Sequence, residues 1–330
     1  ATLRGAEMGD SMVVDEDGNE YGDECFLDVS FQPEGSIALH PQLTDVDLTG
    51  NRLKQLPDVS MMHSIRRLVV RQNLIESAIP LGQLSTLTHL DLYDNLLSKS
   101  TGLGSLTSLT TLDFSFNQIR AVEELETLTK LREVFFVSNK ISVMPNPFTL
   151  TSLTTLELGG NRIREIVRLT GLHALQNLWL GRNKISRIAN LEGLTSLKIL
   201  ALPSNRITKV EGLQGLSLLE ELYLSHNGIE RIEGLEGLRM LNTLDLGSNS
   251  ISAVEGVGHL SLLEEFWCGQ NRIQSFDSIA SLQPCRNIKT VYFEQNEIQK
   301  EAHYAASILS LLPTLTQLDA TPIRPAAPVG

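Results

Sequence analysis

Residues 153–166 read LTTLELGGNRIREI and residues 219–232 read LEELYLSHNGIERI. Both follow one frame: Leu153, Leu156, Leu158, Asn161, Ile163 and Ile166 in the first, Leu219, Leu222, Leu224, Asn227, Ile229 and Ile232 in the second. The asparagine recurs at Asn51, Asn73, Asn95, Asn117, Asn139, Asn161, Asn183, Asn205, Asn227, Asn249 and Asn271 in steps of 22 residues, then at Asn296 after 25. A fixed period of this length is the signature of stacked repeats. Within each repeat Leu-x-Leu alternates with period two, so one short strand sends two apolar side chains inward and the residue between them outward. Stacking these strands predicts a parallel sheet on the concave side. The asparagine amide both donates and accepts, so it can turn inward and satisfy backbone groups that the tight turn after the strand leaves unpaired. Twenty-two residues are too few for a full helix on the return path. Irregular or 3₁₀ segments are predicted there, with glycine at bends such as Gly171, Gly193, Gly212 and Gly234.

This frame resembles the leucine-rich-repeat pattern. The predicted fold is an α/β leucine-rich-repeat solenoid of about twelve 22-residue repeats with a C-terminal helical cap. A solenoid exposes core at both ends and needs lids. Residues 30–42 are the candidate front lid. At the back, Lys300–Leu312 carries Tyr304, Ala305, Ile308, Leu309 and Leu312 at amphipathic-helix spacing, and Pro313 ends the run. The predicted organisation is an acidic, disordered tail over residues 1–29, the solenoid with its front lid over 30–275, the last repeat and cap over 276–321, and a frayed end over 322–330.

Net charge is −12, but ten acids against Arg4 give residues 1–40 a charge of −9 and leave only −3 for the rest. Phosphate attraction needs net positive surface, so a whole-protein basic field for nucleic acid is excluded, although a local basic strip is not. Three cysteines (Cys25, Cys268, Cys285) cannot form a disulfide framework, and no Asn-x-Ser/Thr acceptor occurs. Both features point to a reducing, intracellular setting. No apolar run is long enough to cross a bilayer.

The residue between the two inward side chains lies four before each asparagine: Asp47, Val69, Asp91, Asp113, Phe135, Glu157, Trp179, Ala201, Tyr223, Asp245, Trp267 and Tyr292. Five are aromatic, where even scattering of the chain's 17 aromatics gives about 0.6. Five more are acidic, against about 1.4, and none is basic. Outward-facing aromatics do not hold a sheet together; they are the residue types that anchor interfaces. Asp91 and Asp113 stand one rung apart and repel, which a cationic partner relieves. The column therefore predicts a large protein partner with a basic and apolar surface. Tyr93, Phe116, Asn177, Arg182, Glu221, His226 and Glu265 occupy adjoining outward positions.

Several segments go further than the frame: VRQNLI at 70–75, LYDN at 92–95, LYLSHNGIERIEGL at 222–235, EFW at 265–267 and LPTLTQLDAT at 312–321. Over about residues 43–321 the chain closely resembles the leucine-rich-repeat regulatory subunit of protein phosphatase 1, the regulatory subunit 7 family. That resemblance implies a nuclear and cytoplasmic protein, monomeric before binding, that grips the phosphatase catalytic subunit with its concave face and affects its maturation. It places the partner-facing residues on Asp113, Phe135, Glu157, Trp179, Asp245, Glu265, Trp267 and Tyr292. With Asp91 and Tyr223 from the outward column, these are the candidate site. The segments 132–136 and 289–293 match the basic-x-Val-x-Phe docking peptide of this phosphatase. Here Val134, Phe136, Val291 and Phe293 fall on inward positions, so the match is an accident of core alternation.

Nothing in the sequence assembles a catalytic centre, a cofactor site or a metal site: there is no phosphate-binding glycine loop, no Cys-x-x-Cys and no His-Glu-x-x-His. The competing class is a ribonucleoprotein or cytoskeletal adaptor on the same repeat, with Arg52, Lys140, Arg162, Lys184, Arg206 and Arg272 lining one basic edge.

Overall fold

The computed structural model describes residues 13–14, 20–21, 26–28, 39–145 and 149–323. Contacts divide the chain into two compact units, one ending at Asn161 and one beginning at Arg162.

In the first unit β1 (Val13–Val14) and β2 (Glu20–Tyr21) pair antiparallel. Seven short parallel strands follow in chain order: β3 (Phe26–Asp28), β4 (Asp45–Asp47), β5 (Arg67–Val69), β6 (His89–Asp91), β7 (Thr111–Asp113), β8 (Glu133–Phe135) and β9 (Thr155–Glu157). Each pairs with the next without offset, so Asp91 stands beside Asp113, Asp113 beside Phe135, and Phe135 beside Glu157. The middle residue of each strand is buried, and so is the apolar residue that follows each of β4 to β9: Leu48, Val70, Leu92, Phe114, Phe136 and Leu158. Phe114 and Phe136, both fully buried, stack at 5.3 Å between ring centres.

The inward asparagines do what their chemistry allows. Asn117 Oδ1 accepts the Leu97 N–H at 2.9 Å, and its Nδ2 donates to the carbonyls of Leu92, Phe114 and Ser115 at 2.9, 3.0 and 3.2 Å. Asn73, Asn95 and Asn139 repeat the pattern one turn at a time. The residue before each of these asparagines takes a positive φ even though none is glycine: Gln72, Asp94, Phe116 and Ser138. The amide bonds hold a backbone turn that most side chains avoid.

In the second unit the parallel strands are β10 (Asn177–Trp179), β11 (Ile199–Ala201), β12 (Glu221–Tyr223), β13 (Thr243–Asp245), β14 (Glu265–Trp267), β15 (Thr290–Tyr292) and β16 (Gln317–Leu318), again unshifted, and β17 (Thr321–Pro322) folds back antiparallel on β16. The same asparagine ladder runs from Asn205 to Asn296. Asp319 then takes the ladder position at the cap: its Oδ1 accepts the N–H groups of Phe293 and Glu294, and its Oδ2 accepts the Tyr304 hydroxyl. Return segments are turns with short helices, 3₁₀ at Ile79–Gln83 in the first unit and, in the second, α1 (Phe276–Ile279) continuing into 3₁₀ at Ala280–Leu282. Gly171, Gly212 and Gly234 take positive φ as bend residues, whereas Gly193 does not. An added Cβ at Gly212 would meet the Ile188 carbonyl oxygen at 2.4 Å, so that bend admits no other residue without movement.

Three end-segment expectations change. The cap helix α2 spans only Tyr304–Leu311, because Glu297–Lys300 forms a separate 3₁₀ turn and a non-helical stretch intervenes. Ile308 and Leu312 are buried as expected, but Ala305 is exposed. The acidic tail is not uniformly unstructured, since β3 pairs with β4 and buries Leu27. Its Phe-Leu-Asp run supplies an apolar centre and covers an otherwise open sheet edge. Pro322 sits in β17 and the Ile323 N–H bonds the Thr316 carbonyl, so fraying does not begin at Pro322; proline suits an edge strand because its missing N–H is not needed there. Most of the front lid, residues 30–38, lies outside the described residues, as do 1–12 and 324–330.

Candidate functional site

Each unit carries its own file of outward side chains. In the second unit the file reads Trp179, Ala201, Tyr223, Asp245, Trp267 and Tyr292 on β10 to β15, one residue per rung. The aromatic residues are half-buried, the inward neighbours Leu178, Leu222, Phe266 and Val291 fully buried. The rings do not stand free. Trp179 and Tyr223 stack at 6.3 Å across the rung of Ala201, Tyr223 meets Trp267 edge-on at 6.3 Å across the rung of Asp245, and Trp267 meets Tyr292 edge-on at 5.9 Å. Strands lie roughly 4.8 Å apart, so rings two rungs apart touch only by leaning over a small or short residue. Ala201 and Asp245 are therefore buried, 2% and 9% exposed, although they occupy outward positions. Two hydroxyls are tethered: Tyr223 donates to Glu221 at 2.6 Å, and Tyr292 accepts from Gln317 Nε2 at 2.5 Å. Glu265 stands beside Thr243 and Thr290 on the neighbouring strands, half-buried at the border of the file.

Asp245 lies in the floor of a groove of about 360 Å³ lined by Ser225, His226, Ser248, Trp267, Gln270 and Tyr292 among others. Burial raises its pKa, against the opposing bonds from Ser225 and Gly247, whose N–H it accepts at 2.9 Å. The folded state thus holds this proton to higher pH than the unfolded chain does. Stability from this group is full below the ordinary value of 3.8 and is lost as pH rises through the raised one. Asp245→Asn is expected to raise the thermal midpoint at neutral pH and to leave it unchanged in acid; an equal gain at both would remove the assignment.

In the first unit the file reads Asp47, Val69, Asp91, Asp113, Phe135 and Glu157. Val69 is buried, the rest half-buried. The repulsion between Asp91 and Asp113 is met in part from within the chain: Arg71 Nε pairs with Asp91 at 2.5 Å and its guanidinium lies 5.5 Å from the Tyr93 ring, which packs on Phe116 at 4.8 Å. Arg71 lies outside the outward column, two before its asparagine, and meets a column residue only on the next turn, so the column by itself does not show the pair. Desolvation raises the pKa of Asp113, opposed by the Ser115 bonds and reinforced by Asp91; desolvation and Asp113 raise that of Glu157. The carboxylates are held under-solvated, a state that an incoming cation relieves.

Among the described residues no group of three or more His, Cys, Asp or Glu side chains could hold a metal ion, and no helix is long and apolar enough to cross a membrane. Cys268 and Cys285 are buried free thiols whose pKa burial raises; that of Cys285 is pushed up to about 11. Val134, Phe136, Val291 and Phe293 are buried, so neither docking-peptide match is accessible.

The family described as "Leucine Rich repeats (2 copies)" matches residues 85–127 and 217–259, and "Leucine rich repeat" matches 187–229. The fold is a leucine-rich-repeat solenoid. Among solved structures, this solenoid is similar to an internalin, inlF, of Listeria monocytogenes, with a TM-score of 0.76 and 25% identity over 84% of this chain and 81% of that one. A leucine-rich-repeat protein of Leptospira interrogans gives 0.70 and 25% over 84% and 78%. The leucine-rich-repeat chain FLRT2, solved in a complex with Latrophilin 3 and Unc5D, gives 0.69 and 22% over 83% and 89%. No curated protein sequence matches. The leucine-rich-repeat solenoid is a protein–protein interaction scaffold, with the strand face of each unit open to a partner.

Proposed function

We propose that the chain is a non-catalytic regulatory subunit that binds the protein phosphatase 1 catalytic subunit, in nucleus and cytoplasm, through Asp91, Asp113, Phe135 and Glu157 of the first unit and Trp179, Tyr223, Asp245, Glu265, Trp267 and Tyr292 of the second. The observation that carries the reading is the continuous contact of Trp179, Tyr223, Trp267 and Tyr292 along the second strand face. Four rings already in contact lose little freedom when a partner covers them, and large pre-ordered aromatics are the residues on which interface energy concentrates. The acids supply the matching charge: the half-buried carboxylates of Asp113 and Glu157 and the buried one of Asp245 favour an incoming Arg or Lys over water. The choice of partner rests on the resemblance of the sequence segments to the phosphatase regulatory family.

The test mixes purified chain with purified phosphatase catalytic subunit on a sizing column. Co-elution with the wild type and separate elution with Trp267→Ala/Tyr292→Ala support the reading; failure of the wild type to co-elute overturns the partner.

A further inference from the structure

The second unit carries, in the turns that follow its strands, a cationic block that the fold does not require. Arg162, Lys184 and Arg206 each follow a ladder asparagine on three consecutive turns. Their backbones are in register: Lys184 N–H bonds the Ile163 carbonyl and Arg206 N–H the Ile185 carbonyl. Neighbouring rungs therefore bring three like charges to roughly 5 Å spacing at the backbone. Arg164 and Arg182 flank the row, since Ile163 and Asn183 turn inward and the alternating residues turn out. Four of the five are exposed and Lys184 is half-exposed.

The local electrostatics are unbalanced. One step further along the same turns, Arg187 pairs with Glu211 at 2.6 Å and Lys209 reaches Glu233 at 4.0 Å, so those cations are neutralised across turns. Among the described residues none of the five takes part in such a pair, and the exposed carboxylate on their own stretch is Glu165. Repeats elsewhere put Gly228, Ser250, Leu74, Leu96 or Gln118 at the row position and close the same turn. Stacked cations raise the free energy of the folded chain, and an anionic occupant recovers it.

We propose that this row in the second unit binds an acidic polypeptide segment, independently of the strand-face reading. The outward positions beside it are Ser186, Ser204 and Thr208, with His226 and the exposed Glu230 on the next turn; His226 is the single ring among these positions on which a base could stack. Carboxylates of an extended or helical acidic run recur every ~5–7 Å, a spacing that Arg and Lys side chains reach without strain.

The test is fluorescence anisotropy of the full chain with fluorescein-labelled octaglutamate and, separately, labelled octauridylate. Wild type binds octaglutamate, and more weakly as salt is raised from about 50 to about 200 mM. Arg162→Gln/Lys184→Gln/Arg206→Gln binds it about tenfold more weakly or worse, while Arg187→Gln/Lys209→Gln, which removes only paired cations, binds like wild type. The thermal midpoint of the triple variant is no lower, because like-charge repulsion is removed. Equal octaglutamate binding by wild type and triple variant overturns the site. Tighter binding of octauridylate through the same three residues overturns the acidic-peptide occupant in favour of RNA.

Discussion

Asn117→Ala is expected to lower the free energy of unfolding by about 3 kcal/mol, far beyond an ordinary surface change. The loss does not come evenly from the four bonds that the side chain makes. The Leu92 and Phe114 carbonyls keep a donor each, from Asn95 Nδ2 at 3.2 Å and Asn139 Nδ2 at 2.9 Å. The Leu97 N–H has Asn117 Oδ1 as its acceptor and sits in a buried turn. Stranding it costs about 1–3 kcal/mol, and the space left by the amide, with three carbonyls losing a bond, adds the rest. Asn117→Asp is expected to be worse, because a buried carboxylate would face those same carbonyls. Exposed Gln118→Ala, one residue away, is the control and is expected within about 0.5 kcal/mol of wild type. Urea midpoints at constant slope measure all three. A loss under about 1 kcal/mol for Asn117→Ala would mean that the ladder marks the turn without holding it.

That expectation could be framed from sequence because spacing alone put the asparagine inside. A side chain held at one point of a 22-residue period, with Leu-x-Leu before it and Ile after it, has one inward solution on a parallel stack. Strand positions, inward files and the buried thiol of Cys268 follow from the same alternation. The sheet also tolerates no slip, since one residue would bring every leucine to water.

What the pattern could not convey was how outward side chains settle against one another. Alternation gives a direction and no lateral position, so Trp179 and Tyr223 read as separate anchors. Contact between them depends on the smallness of Ala201, and the burial of Asp245 depends on rings from two rungs leaning over it. Arg71 was hidden for a related reason: its partner Asp91 is 20 residues on, in a different column of the next turn. The ends escaped differently. Composition marks residues 26–28 as part of an acidic segment, yet three residues with one buried leucine suffice where a sheet edge offers every backbone bond. The amphipathic spacing from Lys300 runs ahead of the helix: residues 301–303 are exposed and non-helical, and the buried Ile298 reaches the cap from a 3₁₀ turn that precedes the run.

Trp267→Ala/Tyr292→Ala is expected to weaken the proposed phosphatase binding by two orders of magnitude or more, about 3 kcal/mol. Each ring alone is the kind of anchor worth about 2 kcal/mol or more, but the two are in contact at 5.9 Å, so their losses overlap and the double change falls short of the sum. The fold is expected to tolerate the pair. Phe266, Cys268, Val291 and Phe293 fill the core on the other side of the same strands and are untouched. Trp267 Nε1 has no hydrogen-bond partner among the described residues, so removing that ring strands no backbone group. Tyr292 does lose its bond from Gln317, a tether to the cap strand, and Tyr292→Phe isolates that contribution because it keeps the ring. Calorimetric titration with the catalytic subunit, paired with a thermal midpoint for each variant, separates the two effects. Weak binding at an unchanged midpoint places the energy in the rings. Binding within about threefold of wild type would show that the Trp267–Tyr292 end of the file is not the anchor, leaving the stacked Trp179 and Tyr223 as the other apolar area on this strand face.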